Sequence, residues 1–150
     1  HGATVVHWEE PPHGTTGHLR LGDVMPLLSS ATGRCFGAWL PAERVAPMLQ
    51  YELQQARLAQ RQDLPQTEAD ATQLFADVRA HGVARVVDTL LPSVIALCAP
   101  VFDARGQLVL TITTLGTAAT FDPAFGGAMD QRLQALAQQL SQDLGHQPAV

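Results

Sequence analysis

Two short stretches hold the residues best suited to chemistry. In the run 107–115, QLVLTITTL, three hydroxyls (Thr111, Thr113 and Thr114) interrupt an apolar pattern that predicts a strand. Strand side chains alternate, so Val109, Thr111, Thr113 and Leu115 share one face, and Leu108, Leu110, Ile112 and Thr114 the other. In the run before it, Val94, Ala96 and Cys98 form one set and Ile95, Leu97 and Ala99 the second. A face that mixes small residues with hydroxyls leaves space beside hydrogen-bonding groups, which is the make-up of a small-molecule pocket. An ordinary strand, its β-branched threonines bonded to nearby carbonyls, accounts for the same pattern. The second stretch is SSATGR, Ser29 to Arg34. A helix starting there presents unpaired amides and a positive dipole end, a seat for a carboxylate, and Arg34 adds a formal charge. A plain N-cap serves as well.

Other chemistry is sparse. The candidate nucleophiles are Cys35 and Cys98, and Cys35, beside Arg34 near a helix start, is the better placed for a lowered pKa. The cysteines show no C-x-x-C spacing, and His1, His7, His13, His18, His81 and His146 form no metal-binding pattern. No phosphate-binding loop, dinucleotide-binding glycine pattern or Gly-x-Ser-x-Gly elbow is present. No cofactor or metal is expected.

The elements that must position these residues follow from periodicity and punctuation. Residues 3–8 and 18–25 read as strands, with a breaker-rich loop at 9–17. Ser29 or Ser30 caps a short helix, Ala31 to Leu40, expected to turn Phe36, Trp39 and Leu40 inward. Pro41 opens a longer helix to about Gln60, and Pro47 sits near its start. Asp70 is expected to cap the next helix, with Gln73 completing a capping box and Gly82 ending it. Strands follow at VARVVD, VIALCAPVF and QLVLTITTL. The last two are apolar on both faces, as for strands covered on each side. A helix beginning at Asp122 or Pro123 runs to Leu144, with Leu133, Leu136, Leu140 and Leu144 at helical spacing, and HQPAV forms a loose tail. The fold class is α+β, an antiparallel sheet with helices packed on its faces.

Composition narrows the function. A chain of 150 residues, 46% hydrophobic and 15% charged, is globular and fits one domain. The net charge is −5, and the nine basic residues, all arginines, are scattered from Arg20 to Arg132. Binding to DNA or an anionic membrane needs a gathered positive patch, so neither is expected of this chain by itself. Pro, Gly or charge interrupts every apolar run before membrane-spanning length. With no basic, apolar leader, a reduced, cytoplasmic location is expected.

Three blocks, in order, carry a family resemblance. LGDVMPLLSSATGRCFGAWLPAERV resembles the glycine, Leu-Pro, small-residue and Gly-Lys/Arg segment of IclR-type bacterial transcription regulators. LFADVRAHGVARV is similar to their helix ending Arg-x-x-Gly-Tyr, and VIALCAPVFDARGQLVLTITTLG to their Ala-x-Pro-Val-Phe-Asp-x-x-Gly hairpin. The resemblance implies a GAF-like effector-binding domain over residues 1–150, trimmed of the family's linker helix and first strand, with the helix-turn-helix DNA-binding domain absent. It implies a small-molecule effector, assembly into a homodimer or tetramer, and contact with DNA only through that missing domain. Position by position, the family's pocket falls on Met25 as an apolar wall, Ala31 and Thr32 with adjoining Ser30 at the carboxylate-binding helix start, Val86 and Ala96 at the base, and Thr113 and Leu115 on the hairpin. Members that bind small polar acids tend to carry an acidic residue at the Val86 position, Cys at Ala96 and Ser at Leu115. The apolar residues here imply a partly hydrophobic or aromatic acid. Two alternatives stand beside this reading: a GAF-like redox enzyme using Cys35, and a pure oligomerisation module with a vestigial pocket.

Overall fold

The computed structural model describes residues 2–10, 12 and 19–149. Its frame is an antiparallel sheet in the order β3-β4-β5, made of Ala84–Val87, Ile95–Phe102 and Leu108–Gly116. The central strand, β4, is almost wholly buried. Its alternation divides the interior: Ala96 and Cys98 face one apolar cluster, while Ile95, Leu97, Ala99 and Val101 face another. Helices α1 (Ala31–Trp39), α2 (Ala42–Leu58) and α3 (Glu68–His81) build the first cluster, and α4 (Ala128–Asp143) packs on the second. A small second sheet pairs β1 (Ala3–Thr4) with β2 (Val24–Met25). The α+β class and the helix-covered antiparallel sheet agree with the sequence reading.

Several boundaries differ, each for a local reason. The strand expected over 3–8 pairs only at Ala3 and Thr4, and of the one expected over 18–25 only Val24 and Met25 pair. Residue 18 and much of the expected loop at 9–17 lie outside the described residues. Helix α3 is capped by Thr67, not Asp70. The Thr67 hydroxyl accepts from the Asp70 amide at 3.1 Å, and the Asp70 carboxylate accepts from the Thr67 amide at 3.0 Å. The capping box is real but begins three residues earlier. Helix α4 starts at Ala128, because Gly126 adopts a positive φ of 75° and breaks the path from Pro123. Its buried face is Leu133, Ala137 and Ser141; Leu136 is 56% exposed and Leu144 is also exposed. Pro47 lies inside α2 without displacing its start.

Strand β5 is also unlike its expectation. Among the described residues it pairs only with β4; its start is open, with Val109 and Leu110 exposed, and only its later part is covered on both faces, by Leu115 on the α1 side and Ile112 on the α4 side. The tail is partly anchored, since the His146 amide bonds the Ser141 carbonyl and its ring packs by Phe102.

Candidate functional site: the start of α1 over the sheet

Helix α1 lies across the sheet at close range because its inner face is small. The side chains it buries fully are those of Ala31, Cys35 and Ala38; Trp39 and Leu40 are half-buried but pack against the same cluster as expected, whereas Phe36, also half-buried, does not join it. Gly33 faces the Pro26–Leu27 backbone so closely that a Cβ would stand 1.9 Å from the Pro26 carbonyl oxygen. At Gly37 a Cβ would meet the Phe75 ring of α3 at 2.3 Å. At Gly33 the neighbour is backbone, so only glycine permits the approach; at Gly37 it is the end of a side chain.

Polar side chains clamp the entry to α1. Glu52 of α2 accepts the amides of Leu27 and Leu28 at 2.6 and 2.8 Å. Arg34 donates through Nε to the Leu28 carbonyl at 2.7 Å and reaches the Arg85 carbonyl of β3 at 3.2 Å. Burial holds the Arg34 pKa below its ordinary value, with Asp63 opposing that shift. The guanidinium therefore braces backbone, and its bonds do not aim it at the helix start as the sequence reading supposed. Ser30 is the N-cap: its hydroxyl accepts from Gly33 at 2.8 Å and donates to Pro26 at 2.6 Å. Arg79 of α3 binds the Ala38 carbonyl at the far end.

Strand register then decides which predicted residues meet. Val86 pairs with Ala96 and Ala96 with Leu115, forming one row across three strands. Ala84, Cys98 and Thr113 form the next row. Ala31, Val86 and Ala96 belong to the cluster beneath α1, with Leu115 packed against it. Above the second row the Thr32 hydroxyl meets that of Thr113 at 2.6 Å, joining α1 to β5. The amides of Ala31 and Thr32, in the first turn, have no hydrogen-bond partner among the described residues. Thus Ala31, Thr32, Val86, Ala96, Thr113 and Leu115 converge. Ser30 is beside them, but its hydroxyl is committed to the cap, while Met25 is buried in the β1–β2 pair and is not part of this cluster.

Two side chains that the sequence reading left out of the site lie at its centre. Cys98 stands opposite Thr113 in the register and, with Cys35, belongs to the buried cluster beneath α1. Alternation had placed Thr111 with Thr113; only the register of Cys98 opposite Thr113 shows that these faces coincide. Cys35 is fully buried, and burial, aided by Cys98, pushes its thiol well above the ordinary value. An accessible, low-pKa nucleophile needs the opposite. Two cavities open elsewhere. One of about 450 Å³ lies between α4 and the end of β4, and one of about 300 Å³ lies beside Asp88 and Ser93. Among the described residues no cluster of three or more His, Cys, Asp or Glu could hold a metal ion, and no helix is long and apolar enough to cross a membrane.

The family model for the bacterial transcriptional regulator IclR C-terminal domain matches residues 1–142. This chain belongs to that family. It is thus an IclR-type effector-binding domain, and its relatives are transcriptional regulators. The IclR-type domain is similar to the crystal structure of HmgR from Pseudomonas aeruginosa, with 34% identity over 97% of this chain and 56% of that one, at a TM-score of 0.85. Likeness in fold extends to IclR of Thermotoga maritima, with 21% identity over 92% of this chain and 53% of that one, at a TM-score of 0.67. It extends also to the C-terminal domain of E. coli KdgR, with 17% identity over 84% of this chain and 75% of that one, at a TM-score of 0.66. The chain therefore spans little more than half the length of the HmgR chain it matches. Comparison with curated protein sequences finds no match.

Proposed function

We propose that this IclR-type domain senses a partly hydrophobic or aromatic carboxylic acid and, without catalysing any reaction, modulates DNA binding by a helix-turn-helix domain of the same regulator in the cytoplasm. The observation that carries the proposal is the Thr32–Thr113 hydroxyl pair, set beside the two open amides of the α1 start. A carboxylate fits those amides, because a helix N-terminus offers N–H groups and a positive dipole end. The row Val86–Ala96–Leu115 supports an apolar body for the ligand, since it offers no charge or hydroxyl to a small hydrophilic acid. Signalling requires two arrangements with different effector affinity. The hydroxyl pair suits that need: it ties helix to sheet, and an acid that accepts from Thr113 competes with the tie. Assembly into a homodimer or tetramer belongs to the same proposal, supported by Val6, Leu21 and Val24, which are exposed beside the small sheet.

A thermal-shift screen of aromatic, aliphatic and keto acids tests the reading. A ligand that binds only the native state adds about 2.7 kcal/mol of stability at a concentration one hundred times its Kd. Aromatic acids are expected to raise Tm, and Thr113→Val or Thr32→Pro to weaken that response. Tight binding of glyoxylate-sized acids with none of aromatic ones would overturn the assignment.

A further inference from the structure

The cavity between α4 and the end of β4 has a chemistry of its own. Its volume, about 450 Å³, falls within the range of about 300–1,000 Å³ usual for small-molecule sites. Ala99 and Ala137, which line it, belong to the cluster under α4, so it opens on the face of the sheet away from Ala96 and the start of α1. Three rings give it aromatic walls. Trp39, the last residue of α1, meets Phe102 edge-on at 5.9 Å between centroids, and Phe102 lies 5.4 Å from the His146 ring. A flat ring entering here finds both edges and faces to pack on.

The polar atoms decide what that ring carries. No Asp, Glu, Lys or Arg is among the described residues that line the cavity. The Ser141 hydroxyl is already committed, donating to the Ala137 carbonyl at 2.8 Å and accepting from the Phe102 amide at 3.0 Å. Gln134 donates its side-chain amide to Asp130 at 2.7 Å, which leaves its carbonyl oxygen without a partner among the described residues. That oxygen lies beside Gly82, another lining residue, where a Cβ would stand 3.0 Å from it. His146 Nδ1 is 3.1 Å from the Asp103 carbonyl oxygen. A carbonyl only accepts, so Nδ1 carries the proton, and in the neutral imidazole Nε2 is an acceptor. The two half-buried polar groups thus offer lone pairs. Gln138 and Gln142, both exposed, and the Trp39 indole add N–H donors at the opening. A hydroxyl, which donates and accepts, matches this set. A carboxylate, which only accepts, meets two lone pairs and no cation.

We propose that this cavity is a second ligand site, taking an uncharged aromatic alcohol of the phenol class whose O–H is accepted by Gln134 Oε1 and His146 Nε2. Its ring packs between Trp39, Phe102 and the imidazole. The site is separate from the start of α1 in place and opposite to it in chemistry, since the open amides there offer donors to an anion. It therefore stands whether or not that helix start binds an acid.

The test uses Trp39 as the reporter. Trp8 lies outside the cavity, and Trp8→Phe leaves Trp39 as the one tryptophan of the chain. Phenol is titrated while the Trp39 emission is followed, with anisole (the same ring and oxygen without the O–H) and benzoate as comparisons. Phenol is expected to shift the emission saturably, anisole to bind severalfold more weakly and benzoate to leave the emission unmoved. His146→Phe keeps a ring and removes the acceptor, and should weaken phenol by about tenfold, the upper range for one net hydrogen bond. The three compounds decide the matter in Trp8→Phe alone if the second variant fails to fold. An unmoved emission, a response that never saturates, anisole equal to phenol, or benzoate as tight as phenol would each overturn the proposal. Phenylacetate, at a concentration that raises Tm, should leave the phenol titration unchanged; displacement would put phenol in the acid's site and overturn the second site. Phenol binding with no thermal shift from any acid would uphold this site and count against acid sensing instead.

Discussion

Replacing Gly33 with alanine sets local propensity against tertiary packing, and the two predict opposite signs. Within a helix alanine is favoured over glycine by about 1 kcal/mol, so propensity alone expects Gly33→Ala to stabilise. In the structure the new Cβ would lie 1.9 Å from the Pro26 carbonyl oxygen and 2.6 Å from the Leu27 Cα. Neither is a side-chain end that can swing aside; both belong to the backbone held by Glu52. Overpacking typically costs about 1–3 kcal/mol, and obligatory backbone movement puts this site at the upper end. Subtracting the propensity gain leaves a net loss of about 2 kcal/mol. With a urea m-value of about 2 kcal/mol/M, the unfolding midpoint should fall by about 1 M with m unchanged. Circular dichroism in urea measures this directly. Gly37→Ala is the internal comparison: it meets the far end of the Phe75 side chain, which can shift as a whole where the Pro26–Leu27 backbone cannot, and it should cost less. If Gly33→Ala proves as stable as the parent, the close approach of α1 to the Pro26–Leu27 backbone is wrong, and the placement of the open amides goes with it.

Glu52→Ala should destabilise by about 3 kcal/mol in the same assay, because it strands two amides of fully buried residues; Glu52→Gln should cost less, since one acceptor oxygen remains. The pH dependence of stability has a defined sign. Hydrogen bonds from Thr67, then the Gln66 amide, hold the Asp70 pKa below the usual carboxylate range. A depressed carboxylate contributes stability above its unfolded pKa and loses it as pH falls through the folded one. Stability should therefore decline on acidification below about pH 4, and Asp70→Asn should flatten part of that decline, as followed by Tm against pH.

The site was more legible than its surroundings. Strand alternation alone put Thr113 and Leu115 on one face, and Ile112, on the other, does pack with the α4 cluster. The cap at Ser30 and the stop at Gly82, with φ of 75°, followed from local chemistry. What failed also had local causes. Asp70 and Thr67 each suit an N-cap, and choosing between them needs the geometry of the turn. The stripe Leu133, Leu136, Leu140 and Leu144 has helical spacing, yet the sheet covers the side that carries Ala137 and Ser141. Leu136 is left outside because the partner surface, not hydrophobicity, selects the buried face.

The sequence by itself determined the element types, the family and the two chemical stretches, because periodicity, caps and motif order are properties of neighbours along the chain. Only the tertiary structure decided register and approach. Register set Cys98 opposite Thr113 and drew Val86, Ala96 and Leu115 into one row. Approach, allowed by Gly33 and Gly37, brought the Thr32 hydroxyl to Thr113 and buried Cys35 in the cluster that holds Cys98. Such contacts join residues far apart in the chain, and their existence depends on how small side chains let a helix settle on a sheet, a quantity that no single stretch of sequence contains.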